Sequence, residues 1–360
     1  MERKNYIDNI RWITVLLVIL YHVIYIFNCS GVISNFDVQG IPQLDSFLVF
    51  VYPWFMALLF VVAGVSAKFS LQKRTGKEFV KDRAKRLLLT STAIIFMVSW
   101  TTGWVTNQFT DMFGGDVPGI LKYFIYCMCG IGPMWFAQEL FLASIVLVLV
   151  RAIDRKDKLS KLGAKTNLLA LVLIVVPFWV SSLILNTPLI EVYRNGFYIF
   201  SFLLGYYVFS NDEVIEKLRK IRIPLAILTV GCGVAYTIYF YGQNYASMEV
   251  LKNPLTSIYA WIAILAVFAC AKDWLNFSNK FSRYMTKMNF AYYALHYPIL
   301  SLVAYFVYTN IELPMICYYI INLVMVCLLL PLVSEIISRI PIIRSLLLGI
   351  YKPSSKVAEK

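Results

Sequence analysis

A chain of 360 residues that is 60% hydrophobic and only 15% charged is not a soluble enzyme, because its long apolar runs recur from end to end, as in a polytopic helical membrane protein. A net charge of +13 would suit nucleic acid, yet all but Lys122, Arg194 and Lys252 of the 33 Lys and Arg fall in alternate segments between the apolar runs. That distribution is the positive-inside pattern, which expects both the N-terminus and the C-terminus in the cytoplasm and assigns the basic excess to topology and anionic lipid.

About ten spans are predicted, at roughly 10–29, 46–70, 87–106, 134–152, 167–186, 194–211, 223–242, 254–272, 288–308 and 313–337. The fold class is therefore all-α, a polytopic bundle of about ten transmembrane helices. A domain over 1–340 is followed by a short polar tail over 341–360. The chain has no Ser/Gly- or Pro-rich linker and no convincing internal repeat.

The first span carries Arg11 and His22, one of two histidines in the chain. Eleven residues make three helical turns plus about 20°, so both side chains share one face, separated by about 16 Å along the axis. With Arg11 at the inner surface, His22 falls near the middle of a hydrocarbon core about 30 Å thick. An ionisable group there points to function, and an imidazole can act as a general base near neutral pH. A buried ring bonded to a neighbouring Tyr or carbonyl fits the same position. Asp8, one turn before Arg11, is spaced to pair with it. The residues after the span, Asn28, Cys29, Ser30 and Gly31, imitate a signal cleavage site only loosely, and no cleavable leader is expected.

The second span ends in AGVSAKF, where Ala63 and Gly64 suit close helix approach. The most basic loop, 68–86, leads into KDRAKR. Arg83 and Arg86 stand three residues apart, a spacing that suits a fork for phosphate oxygens, with Lys81 and Lys85 adding charge. The positive-inside rule also accounts for these residues. After the third span, the stretch 117–133 is apolar but short and broken by Pro118, Gly119, Gly130, Gly132 and Pro133. An eleventh span there would turn every later basic loop outward, so an outer re-entrant or interfacial piece is expected.

The fourth span opens PMWFAQELF. Glu139 lies about six residues into it, where a carboxylate must be paired, protonated or facing water. It suits orienting an imidazole, binding a sugar hydroxyl or relaying a proton, and a structural ion pair is equally consistent. Trp135 fits an aromatic belt or a sugar platform. In the ninth span, His296 stands two residues before Pro298, which removes a backbone donor and frees a carbonyl. A catalytic role and a ring bonded to the loosened carbonyls both fit. The seven cysteines are scattered, and no Cys/His cluster has metal-ligand spacing, so no metal is expected. With 24 Tyr in the chain, some are expected to line a polar interior as well as the interfaces.

In this order, the segments resemble the acyltransferase-3 family of integral membrane O-acyltransferases. The likeness rests on YIDNIRWITVLLVILYH with its Arg11-x10-His22, on PWFMALLFVVAGVSA, on RAKR, on MWFAQELF and on YYALHYPI, and it spans essentially the whole chain. Ala63 stands where the family has Ser before Gly64. The resemblance implies that His22 is the catalytic histidine, that Arg11 supports donor binding or the helix that positions His22, and that Arg83 and Arg86 bind the phosphates of a cytoplasmic acyl-CoA. Glu139 and His296 match less firmly and stand as further catalytic candidates. The expected enzyme is an acyl-CoA-dependent O-acyltransferase of the cell membrane, with acetyl-CoA as the default donor. It moves the acyl group to a hydroxyl of an envelope carbohydrate or lipid-linked sugar, using His22 as base, with membrane lipid as a partner and no nucleic acid. A transporter or flippase of an acylated lipid or sugar precursor, or an inactive sensor of the same fold, are the alternatives.

Overall fold

The computed structural model describes residues 4–187 and 192–351. Among them the regular structure is helical, and one isolated bridge pairs Asn186 with Arg194. Eight helices are long and apolar enough to cross a membrane. In chain order the elements are α1 (Asn5–Tyr25), α2 (Pro42–Leu71), α3 (Gly76–Phe109), the short α4 (Gly119–Cys129), α5 (Gly132–Ile153), α6 (Lys158–Ala164) and α7 (Leu168–Leu183). There follow α8 (Asn195–Phe209), α9 (Asp212–Lys220), α10 (Arg222–Phe240), α11 (Met248–Lys252), α12 (Pro254–Trp274), α13 (Lys280–Asn310), α14 (Met315–Arg339) and α15 (Pro341–Leu348). Each of the ten expected spans has a helix. The fifth and sixth are modified, since α6 and α7 bend by 113° at their junction and α8 is a shorter apolar helix.

Local chemistry sets the ends. α1 stops at Tyr25 rather than residue 29 because the Asn28 side chain donates to the carbonyls of Tyr25 and Val32 and accepts from the Val32 amide, folding the chain back. Thr75 and Glu78 form a reciprocal capping box at the start of α3. Asn279 and Ser282 cap the start of α13, which therefore begins eight residues before the apolar run. Asn167 caps α7, and Asn253 with Pro254 opens α12. Three stretches are π-helical: Ala84–Leu89 and Ile95–Ser99 inside α3, and Gly205–Phe209 at the end of α8. Wide turns of this kind recur at functional sites.

The chain divides into two compact units, one of residues 1–80 and 139–287, the other of 81–138 and 288–360. In the first unit, α2 and α8 pack backbone to backbone. A Cβ on Gly64 would stand 2.0 Å from the Phe202 carbonyl, and one on Gly205 would stand 2.0 Å from the Val61 carbonyl. The Ala63–Gly64 pair thus sits at a close helix approach. Ion pairs join α9 to its neighbours in this unit: Lys4 with Asp212, Arg219 with Asp273 and Lys272 with Glu216, while Arg222 at the start of α10 also reaches Asp273. In the second unit the Pro/Gly-broken stretch forms α4, an eleven-residue helix below the length that spans a bilayer. It packs on α3 through Gly103 against the Tyr126 backbone and Gly130 against the Ser99 carbonyl. Residues 341–348, expected as tail, form α15 with Leu347 and Leu348 buried. The rest of the tail, 352–360, lies outside the described residues.

Candidate functional site

Arg11, His22 and Glu139 belong to the first unit; Arg83, Arg86 and His296 belong to the second. On α1, the Arg11 guanidinium pairs with Asp8 at 3.2 Å, as their spacing led one to expect. Its other arm donates to Ser66 Oγ on α2 at 2.5 Å. Ser66 in turn donates to the Val62 carbonyl, so its lone pairs face the arginine. Arg11 therefore fastens α1 to α2 at the end where the basic residues of this unit gather.

Three turns along α1, His22 Nδ1 lies 2.8 Å from the Val18 carbonyl. A carbonyl can only accept, so Nδ1 carries the hydrogen and Nε2 is the basic atom of the ring. Tyr21 and Tyr25 stand edge-on to the imidazole, with ring centroids 5.2 and 5.7 Å away. Tyr21 shares a 2.9 Å hydrogen bond with Tyr245 and packs against Tyr52 and Phe55 of α2. The Tyr25 hydroxyl donates to Ile33, and Asp45 gathers the Ser30 hydroxyl and the Cys29 amide. Beyond His22 the unit is thus a tyrosine-rich end closed by the 28–45 segment. The Cys29 thiol is pushed up from its ordinary value by burial, with the Asp45 charge a smaller cause.

Glu139 is 1% exposed, and neither carboxyl oxygen has a hydrogen-bond partner among the described residues. A buried acceptor pair of this kind needs a donor. Around it stand Tyr193, whose phenol is pushed up to about 12 by burial and then by the Glu139 charge, and Tyr198 on α8. Arg194, 3% exposed, lies 4.2 Å over the Phe197 ring, donates to the Leu251 carbonyl and shares a hydrogen bond with Tyr198. Sequence reading passed over Arg194 as a loop cation. Its signal was that it is one of only three basic residues on the side where such residues are scarce.

In the second unit Arg83 precedes, and Arg86 sits within, the first π-helical stretch of α3. Arg86 is already engaged: Nε pairs with Asp82 at 3.0 Å, Nη1 donates to the Gly349 carbonyl at 3.3 Å, and the guanidinium lies 5.8 Å from the Tyr351 ring. His296 is fully buried, with Nδ1 donating to the Tyr293 carbonyl at 2.7 Å. Tyr293 donates to the Pro133 carbonyl and packs on Phe136, while Tyr297 meets Gly132, whose φ of +47° favours glycine. His296 is thus held one turn above a tight turn of its own unit. Among the described residues all seven cysteines are free, and no group of three or more His, Cys, Asp or Glu is placed to hold a metal ion.

A family model described as an acyltransferase domain matches residues 4–334 of the chain. No curated protein and no solved structure matches it.

Proposed function

The chain belongs to this family of membrane acyltransferases, and from that premise we propose that His22 is the general base of an acyl transfer from acyl-CoA to a hydroxyl. The observation that carries the reading is the pairing on α1 of Arg11, locked to α2 through Ser66, with His22, whose Nδ1–H is committed to Val18. This tautomer makes Nε2 the basic atom of the ring, in the last turn of α1. In the step proposed, Nε2 takes the proton of an acceptor hydroxyl as its oxygen bonds to the thioester carbon. The C–S bond breaks, and the thiolate leaves to be protonated. Acetyl-CoA is the default donor, and Arg83 and Arg86 take its phosphates, as the family likeness implies.

The acceptor is a hydroxyl of an envelope carbohydrate or lipid-linked sugar arriving from outside the cell membrane, with both termini of the chain in the cytoplasm. Tyrosine rings beside His22 suit such an acceptor, since they offer both apolar faces and hydroxyls. Glu139, with two buried oxygens lacking donors, serves as the hydrogen-bond acceptor for a second sugar hydroxyl. His296, enclosed and bonded to the Tyr293 carbonyl, holds the fold of its own unit instead of taking part in the transfer. Mass spectrometry of envelope glycans and lipids from cells expressing wild type, His22→Ala or no protein tests this reading. A base-labile acyl group found only with wild type is expected. An acyl group that persists in His22→Ala removes the base, and no protein-dependent acyl group at all favours a transporter or sensor of the same fold.

A further inference from the structure

At the basic end of the first unit, two helices deliver cationic side chains to an aromatic ring on a third. Tyr206, in the π-helical stretch of α8, is 3% exposed. Lys68 Nζ, from the end of α2, lies 4.7 Å from its centroid, and the Arg151 guanidinium, from the end of α5, lies 6.0 Å from it. Lys68 also donates to Ser160 Oγ of α6 at 3.2 Å. The backbone around the ring is fixed, because α6 reaches α8 through Gly163, where a Cβ would meet the Tyr207 carbonyl at 1.9 Å.

Topology alone would leave basic residues at this end free in solvent, and most of them are: Arg155, Lys156, Lys158, Lys161 and Lys165 are all exposed. Lys68 and Arg151 differ. Both are half-buried against Tyr206 and close enough to repel each other. Arg11, Arg86, Arg219, Arg222 and Arg339 each hold a carboxylate. Arg151 forms no such ion pair among the described residues, and Asp157, the acidic neighbour within electrostatic reach of Lys68, forms none with it either. Asp157 offsets part of this repulsion from a distance, and two like charges gathered on one ring, ion-paired to no acid, are stabilised further by an anion between them. A fork-shaped guanidinium beside an ammonium suits a phosphate.

We propose that Lys68, Arg151 and Tyr206 form a phosphate-binding site, distinct from Arg83 and Arg86 and in the same compact unit as His22. The phosphate comes either from the nucleotide end of the donor, which carries a 3′-phosphate as well as a pyrophosphate and so has one to spare beyond those taken by Arg83 and Arg86, or from an anionic lipid headgroup; the nucleotide assignment rests on the donor reading above. Distance favours the nucleotide. Phe55 packs on Tyr21 beside His22, and the thirteen residues of α2 from there to Lys68 span about 20 Å, comparable with an extended pantetheine arm.

The test uses the full chain in nanodiscs of zwitterionic lipid with coenzyme A as the probe, and native mass spectrometry of retained phosphatidylglycerol. Wild type, Arg151→Gln, Lys68→Gln, Lys68→Arg and the exposed control Arg155→Gln are compared, with thermal unfolding as the check on folding. Coenzyme A affinity is expected to fall about tenfold or more in Arg151→Gln and Lys68→Gln, to recover in large part in Lys68→Arg, and to stay within about twofold in Arg155→Gln. Should Lys68→Gln fail to fold, the half-exposed Arg151→Gln carries the test alone. Unchanged coenzyme A affinity with loss of phosphatidylglycerol assigns the phosphate to lipid and upholds the site, and the same loss in a protein that binds no coenzyme A upholds it while removing the donor reading. A folded Arg151→Gln that retains both ligands, or a wild type that binds neither, overturns it.

Discussion

The two histidines occupy regions that look alike locally and differ in what surrounds them. Each donates Nδ1–H to a carbonyl of the preceding turn, His22 to Val18 and His296 to Tyr293, so each ring is fixed in the same tautomer. His22 is half-buried between two tyrosine edges, on a helix anchored to its neighbour by Arg11. His296 is enclosed completely, with Tyr293 and Tyr297 of its own helix packed on the 132–136 turn. What separates the two rings is exposure, since His22 keeps part of its surface open and His296 keeps none.

The largest effect that would break this contrast is at His22. Replacing it by Gln should lower acyl transfer about 10²- to 10⁴-fold with the unfolding temperature held, and a retained rate would end the distinction. Glu139→Gln should cut turnover about tenfold or more without loss of stability, because both carboxyl oxygens are already unpartnered. A large fall in unfolding temperature would show instead that Glu139 is a structural contact.

His296→Leu should do the reverse of His22→Gln. Loss of the Tyr293 bond and of the fit should cost about 1–3 kcal/mol of stability, while the folded fraction keeps its rate to within about tenfold. A deeper loss of rate at unchanged stability would make the two histidines partners in the chemistry. Ser66→Ala and Arg11→Lys each remove one side of the α1–α2 fastening, and a double-mutant cycle on turnover should give a coupling of about 1 kcal/mol.

The smallest effect lies at the other end of α1 from His22, where Glu216 stands near Tyr6. The Glu216 carboxyl is held below the ordinary carboxylate range by its hydrogen bond to Lys272, then by Arg219. A depressed folded value means the contribution is present above the unfolded value, near 4.3, and fades as pH falls through the folded one. Unfolding midpoints of wild type and Glu216→Gln should therefore draw together as pH falls below about 4.3 and on through the lowered folded value, and leave the behaviour of His22 unaltered.

Much of this was readable beforehand because it depends on runs and short spacings. Apolar stretches marked a helix for every expected span, and the i, i+3 relation foretold the Asp8–Arg11 pair. Gly and Pro between 117 and 133 marked a segment too short to cross. Convergence between distant parts of the chain was not readable. Ser66 was missed because it stands on a different span from Arg11, and nothing in sequence joins Lys68, Arg151 and Tyr206, which stand on three helices. The π-helical turns also escaped notice, since one extra residue in a turn leaves an apolar run looking the same. The 113° bend between α6 and α7 was hidden in the same way, because hydropathy records length and not direction.

The reciprocal glycine contacts of α2 and α8 have a mechanical consequence. With Gly64 against the Phe202 carbonyl and Gly205 against the Val61 carbonyl, even a methyl group at either glycine would collide with a backbone oxygen of the other helix. The seam is closed to side chains at these two points, so nothing threads between α2 and α8 there.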